Sequence, residues 1–102
     1  MTINKNQIGD KLVLTLEGRL DTTTAPQLEA EISIVGQEVQ LLELSLHQLE
    51  YLSSAGLRVI LTAQKKMAPP RRMVVTGVNE TIMEVFEITG FSDILTIDKG
   101  AC

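Results

Sequence analysis

Aromatic side chains are nearly missing from this chain: tryptophan is absent, and Tyr51, Phe86 and Phe91 are the three aromatics among 102 residues. A core built from this sequence rests on Leu, Ile and Val, with no set of aromatic platforms on which nucleotide bases could stack. Cysteine occurs once, as Cys102, so an internal disulfide is excluded and a reducing compartment is the expectation. Histidine also occurs once. His47 has no Cys, Asp or Glu at ligand spacing, which leaves a metal centre without support, and no cofactor is expected. A hydrolytic triad would require His47 to serve Ser54 as base with Asp21 behind it, but no nucleophile-elbow glycine pattern surrounds the serine, so an enzyme is not expected.

Two further absences narrow the class. No apolar run approaches the roughly 20 residues of a membrane helix. The opening Met1 to Lys5 lacks the basic-then-apolar order of a signal peptide, and a cytoplasmic protein without membrane insertion is expected. With a formal charge of −4, the chain also lacks the cationic excess that phosphate backbones require, so no nucleic-acid partner is expected. Proteins are the expected partners.

Hydrophobic residues make up 44% of the chain, enough for one domain spanning residues 1–102. Ile3 to Ile8 reads as an edge strand. Gly9-Asp10 turns it into Lys11 to Glu17, after which Gly18-Arg19-Leu20-Asp21 leaves the sheet. A helix starts at Thr24 or Ala25 with Pro26 in its first turn and Leu28, Ile32 and Val35 inward. Gln37 to Leu46 is too apolar for a strand with one wet face and is read as central. Ser53 or Ser54 opens a second helix carrying Leu57, Ile60, Leu61 and Met67 inward and Arg58, Lys65 and Lys66 outward. Met73 to Thr76 forms a strand, Asn79 caps a helix with Ile82, Val85, Phe86 and Thr89, and Gly90 stops it. A last short strand ends at Ile97. The order is ββαβαβαβ, an α/β fold with a mixed sheet covered by helices mainly on one face.

That order, with Gly18-Arg19-Leu20-Asp21 near its start and Tyr51-Leu52-Ser53-Ser54-Ala55-Gly56-Leu57-Arg58 in its middle, resembles the STAS domain of bacterial anti-sigma factor antagonists over nearly the whole chain. The resemblance implies a STAS-like fold and a regulatory protein. Such an antagonist binds an anti-sigma factor with serine kinase activity, is switched off by that kinase, and is reset by a serine phosphatase. The family's phosphorylated serine falls on Ser54, with Ser53 as the second choice. Ser53 replaces an aspartate common in the family, Ala55 a second serine, and Ser45 an aspartate expected at the end of the third strand. A non-switching STAS adaptor in a transporter or sensory complex is the alternative that the resemblance also allows.

Each of these residues also has a role that needs no partner. Ser53 and Ser54 sit where serine commonly caps a helix, and Ser53 is read chiefly as the cap. Asp21, before Thr22-Thr23-Thr24, either stabilises the turn into the first helix or has a functional part, orienting Ser54 or contacting the partner. Gly56 in a first helical turn needs a close neighbour, either a strand of its own fold or the kinase backbone. Arg58 lies one turn past Ser54 and is the one cation read as a partner contact; Lys65, Lys66, Arg71 and Arg72 belong to a solvated rim. Asp21, Ser53, Ser54, Gly56 and Arg58 are the expected partner-binding set. A third reading, an anion cradle formed by the Gly18 to Asp21 loop and the helix start, lacks a glycine-rich phosphate loop.

Overall fold

Alternating apolar residues build the sheet, as the computed structural model shows for residues 1–98. The elements run β1 (Thr2–Ile8), β2 (Lys11–Leu20), α1 (Ala25–Ser33), β3 (Leu41–Leu52), α2 (Ser54–Lys66), β4 (Arg72–Thr76), α3 (Glu80–Thr89), a 3-10 turn (Phe91–Asp93) and β5 (Ile97–Asp98). The expected ββαβαβαβ order is therefore observed. Strands lie in the order β1-β2-β3-β4-β5, with β1 antiparallel to β2 and every later pair parallel. From β2 onward each new strand is added on the same side, so right-handed crossovers put all three helices on one face.

Burial along the strands matches that layering. Leu12, Leu14 and Leu16 of β2 meet Leu42, Leu44 and Leu46 of β3 and Met73 and Val75 of β4 in one buried layer beneath the helices. Leu28 and Ile32 of α1, Ile60 and Ala63 of α2, and Ile82 and Phe86 of α3 close it from above. Phe86, fully buried, is the largest side chain in this aliphatic core. The opposite sheet face stays half-open, crossed by a polar row in which Glu43 accepts from Thr76 Oγ1 at 2.9 Å and pairs with Lys11 Nζ at 3.2 Å.

Three expectations about the sheet need correction. The second strand does not end at Glu17, nor the third at Leu46; both run on to Leu20 and Leu52, which pair in register. Mutual pairing keeps Gly18 to Leu20 in the sheet, with register shifts after Thr15 and Gly18 absorbing the irregularity. The third strand is central yet has a partly wet face, where Leu41 and Glu43 are half-exposed. Val35 is buried, as expected, but beyond the end of α1, and Thr89 is exposed. Gly90, at φ +81° in the left-handed region, does stop α3. Cys102 lies outside the described residues.

The helices are tied down at both ends. Pro26 sits in the first turn of α1, where its missing N–H costs nothing. Asn79 caps α3 by accepting from the Ile82 N–H at 2.8 Å. Lys66 is not a free surface cation: its Nζ donates to the carbonyls of Ile32 and Ser33 at 2.8 and 3.1 Å, satisfying the C-terminal end of α1.

Candidate functional site

The carboxyl ends of β2 and β3 lie side by side, so the loop after each opens onto the same rim. The Ser53 N–H donates to the Leu20 carbonyl at 2.9 Å, fixing the serine pair beside the residue that precedes Asp21. Ser53, extended at φ −94° and ψ 172°, is the N-cap of α2, and its Oγ accepts from the Gly56 N–H at 3.3 Å. Ser54 is the first residue of the helix proper. It is exposed, and its hydroxyl makes no hydrogen bond among the described residues. One serine is committed to backbone; the other is presented to solvent.

Gly56 explains how the helix start comes so close. A Cβ built on it would stand 2.6 Å from Leu20 Cγ and 2.9 Å from Leu52 Cδ1, the last residues of the two strands. Only a residue without a side chain fits that approach. Gly56 is buried, so what it offers a partner is the placement of the helix start; Arg58, one turn further, is exposed and has no ion-pair partner among the described residues.

Asp21 is turned toward its own loop. Its Oδ1 accepts from Thr23 Oγ1 at 2.7 Å, from the Thr23 N–H at 3.0 Å and from the Thr24 N–H at 3.2 Å, while Oδ2 faces Arg19 Nε at 3.7 Å. The Thr23 hydroxyl, aided by the Thr23 and Thr24 backbone donors, holds the carboxyl below its ordinary value. The Asp21 and Thr24 carbonyls and side chains thereby form the entry to α1, and no hydrogen bond joins Asp21 to Ser54. Asp21 shapes the rim beside the serines and does not orient the Ser54 hydroxyl.

Two residues of this rim escape notice in the sequence. Arg19 and Tyr51 pair across β2 and β3, and the Arg19 guanidinium lies 4.3 Å from the centre of the Tyr51 ring. Both are exposed, and Arg and Tyr are among the residue types enriched in the hot spots of protein interfaces. Their shared offset was the available clue: Arg19 stands two residues before Asp21 and Tyr51 two before Ser53.

Other expected features lie elsewhere. Ser45 is in the middle of β3, not at its end, and its Oγ contacts His47 Nδ1 at 2.7 Å. His47 is thus engaged by Ser45, and Ser54, His47 and Asp21 share no hydrogen bond. Among the described residues no group of three or more His, Cys, Asp or Glu could hold a metal, and no helix is long and apolar enough to cross a membrane.

Comparison with known proteins adds an independent line. The STAS domain profile matches residues 2–100. BtrV of Bordetella bronchiseptica, whose name assigns it provisionally as an anti-sigma factor antagonist, is 34% identical over 99 residues, covering 95% of this chain and 85% of its own. The anti-sigma-B factor antagonist of Listeria monocytogenes is 30% identical over 95 residues, covering 91% and 83%. Among solved structures, an anti-sigma factor antagonist from Mycobacterium paratuberculosis superposes with a TM-score of 0.88 at 22% identity over 98% of this chain and 86% of its own. Unphosphorylated SpoIIAA does so at 0.76 and 19% over 98% and 90%. At such identities the structural likeness speaks for the fold.

Proposed function

The chain belongs to the STAS domain family, and on that premise we propose that it is a cytoplasmic anti-sigma factor antagonist that regulates transcription by partner switching. Unphosphorylated, it binds an anti-sigma factor with serine kinase activity; phosphorylation of Ser54 by that kinase ends the complex, and a serine phosphatase restores it. The observation that carries this reading is the division of labour in the serine pair. Ser53 Oγ is spent on the Gly56 N–H, whereas Ser54 offers a solvent-facing, unpartnered hydroxyl at the first position of α2. A kinase needs an accessible hydroxyl.

The same position makes the switch local. A phosphate adds about −1.5 to −2 charges. At the start of α2 that charge meets the positive end of the helix, with no acidic residue in the first turn to repel it, so the fold tolerates it. A partner surface closed over a neutral hydroxyl does not tolerate it, because up to two negative charges would have to be buried unpaired. The domain keeps its shape and loses its partner.

On this reading the surface presented to the anti-sigma factor is the rim itself: Ser53 and Ser54, the Asp21 loop, the helix start held by Gly56, and Arg58, flanked by the Arg19–Tyr51 stack. Calorimetric titration of the cognate anti-sigma factor tests it. The unmodified protein should bind, Ser54→Asp should bind at least tenfold more weakly with an unchanged circular dichroism spectrum, and equal binding by the two would refute the switch.

A further inference from the structure

Charge is distributed unevenly along this acidic chain. The segment from Tyr51 to Asn79 holds five of the nine Lys and Arg residues and none of the thirteen Asp and Glu residues. Three of those cations, Lys65, Arg71 and Arg72, stand around the exit of α2 and the start of β4, at the opposite end of β4 from the serine rim. A cleft of about 270 Å³ opens there between α2 and the outer side of β4, lined by Gln64, Met67, Arg71, Arg72, Met73 and Thr96 among others.

Among the described residues, β5 covers only the last part of β4 and leaves the cleft open at its start. Its two residues pair only with Val75 and Thr76. The Arg72 N–H donates inward to Gln40 at 2.8 Å and the Val75 N–H outward to Thr96 at 2.9 Å, so in the alternation of a parallel strand the N–H and C=O of Met73 point outward, with no strand beside them among the described residues. An uncovered strand edge of this kind offers a peptide main chain one donor and one acceptor.

The walls of the cleft supply the rest of a recognition set. Arg71 is held rigidly by donating Nε to the Val39 carbonyl and Nη2 to the Gly36 carbonyl, both at 2.8 Å, which fixes its charge beside the cleft. Arg72 is exposed and has no ion-pair partner among the described residues. Gln64 Oε1 is buried at the wall with no hydrogen-bond partner. A turn about its soft terminal torsion would direct it to a donor in the cleft.

We infer that this cleft binds a short extended peptide segment bearing a carboxylate, whose main chain pairs with Met73, whose amide N–H reaches Gln64 and whose carboxylate meets Arg72 and Arg71. The carboxylate is that of an acidic side chain within the segment, which leaves the main chain on both sides of it free to pair with Met73 and Gln64. This site is separate from the serine rim and does not rest on the switch proposed above.

The experiment is a ¹⁵N-NMR titration of the full chain with three capped peptides: acetyl-Ala-Asp-Ala-amide, acetyl-Ala-Ala-Ala with a free C-terminus, and the neutral acetyl-Ala-Ala-Ala-amide. Saturable shifts of the amides of Gln64, Met73, Val74 and Thr96 are expected with acetyl-Ala-Asp-Ala-amide; shifts produced only by the peptide with the free C-terminus would overturn the assignment to an acidic side chain. Arg72→Glu and Gln64→Leu should each weaken binding of acetyl-Ala-Asp-Ala-amide at least tenfold while the remaining spectrum stays dispersed and native. No saturable shift at these residues up to about 20 mM, beyond the millimolar range of weak specific contacts, overturns the inference. So does equal binding of the neutral peptide, or the same shifts produced by inorganic phosphate alone.

Discussion

The main-chain N–H of Ser53 donates to the carbonyl of Leu20 at 2.9 Å, joining the cap of α2 to the last residue of β2. Through this bond the two loops of the rim form one surface, because Asp21 follows Leu20 and Ser54 follows Ser53. The partner-switching account depends on that rim being rigid, and its rigidity is measurable residue by residue.

Gly56→Ala tests the close approach of the helix. The added methyl would meet Leu20 Cγ at 2.6 Å and Leu52 Cδ1 at 2.9 Å. Overpacking of this kind costs about 1–3 kcal/mol, against a helix-propensity gain of about 1 kcal/mol. Urea denaturation should show a net loss of stability; a stabilised variant would mean that the helix start has room to move away.

Ser53→Ala removes the cap and should destabilise the domain by about 1 kcal/mol. Ser53→Asp should not, since aspartate caps as well as serine and adds a charge favourable at a helix start. Equilibrium unfolding of the two variants separates the roles of the serines: a full loss with Ser53→Asp would show that the hydroxyl does more than accept from Gly56.

Asp21 gives a pH signature with a definite sign. Its carboxyl is held below its ordinary value, first by the Thr23 hydroxyl and then by the Thr23 and Thr24 backbone donors. A depressed folded-state value contributes stability that is fully present above the unfolded value of about 3.9 and is lost as pH falls through the folded one. The stability difference between wild type and Asp21→Asn should therefore be constant at neutral pH and shrink below about pH 4. A difference that instead persists unchanged to low pH would mean the carboxylate charge plays no part in the turn.

Arg19 and Tyr51 should be coupled weakly in the free domain and strongly in the complex. A double-mutant cycle with Arg19→Ala and Tyr51→Ala is expected to give about 0.5–1 kcal/mol in unfolding, the range of an exposed cation–π pair. The same substitutions should each weaken anti-sigma factor binding several-fold in calorimetry. Unchanged affinity in both would place the stack outside the interface.

Much of this architecture could be read from residue patterns. Leu12, Leu14 and Leu16 alternate cleanly, Asn79 and Gly90 bracket α3, and the strand-helix order follows from those marks. The ends of β2 and β3 could not be read so. Gly18 and the polar residues His47, Gln48 and Glu50 look like loop composition, yet cross-strand pairing of Glu17 to Leu20 with Gln48 to Leu52 keeps this stretch of β3 in the sheet. Non-local pairing of that kind overrides local propensity.

The candidate site was legible in its serines and obscure in its surroundings. The motif singled out Ser54, and Ser53 was recognisable as a cap. The aim of Asp21 toward Thr23 and Thr24, the Arg19–Tyr51 stack and the Leu20 and Leu52 walls around Gly56 all depend on which strand ends are neighbours. Lys66 illustrates the same point, since its sequence position suggests a solvated face and its bonds to Ile32 and Ser33 come from a helix 33 and 34 residues away.

The central claim is that Ser54 carries the switch, and phosphate mapping tests it most directly. The protein would be incubated with ATP and its cognate anti-sigma kinase, then analysed by intact-mass and tandem mass spectrometry beside Ser54→Ala and Ser53→Ala. One phosphate located on Ser54, lost in Ser54→Ala and retained in Ser53→Ala, is the predicted result. Phosphate on Ser53 or another residue, or an unmodified protein in the presence of an active kinase, would contradict the account.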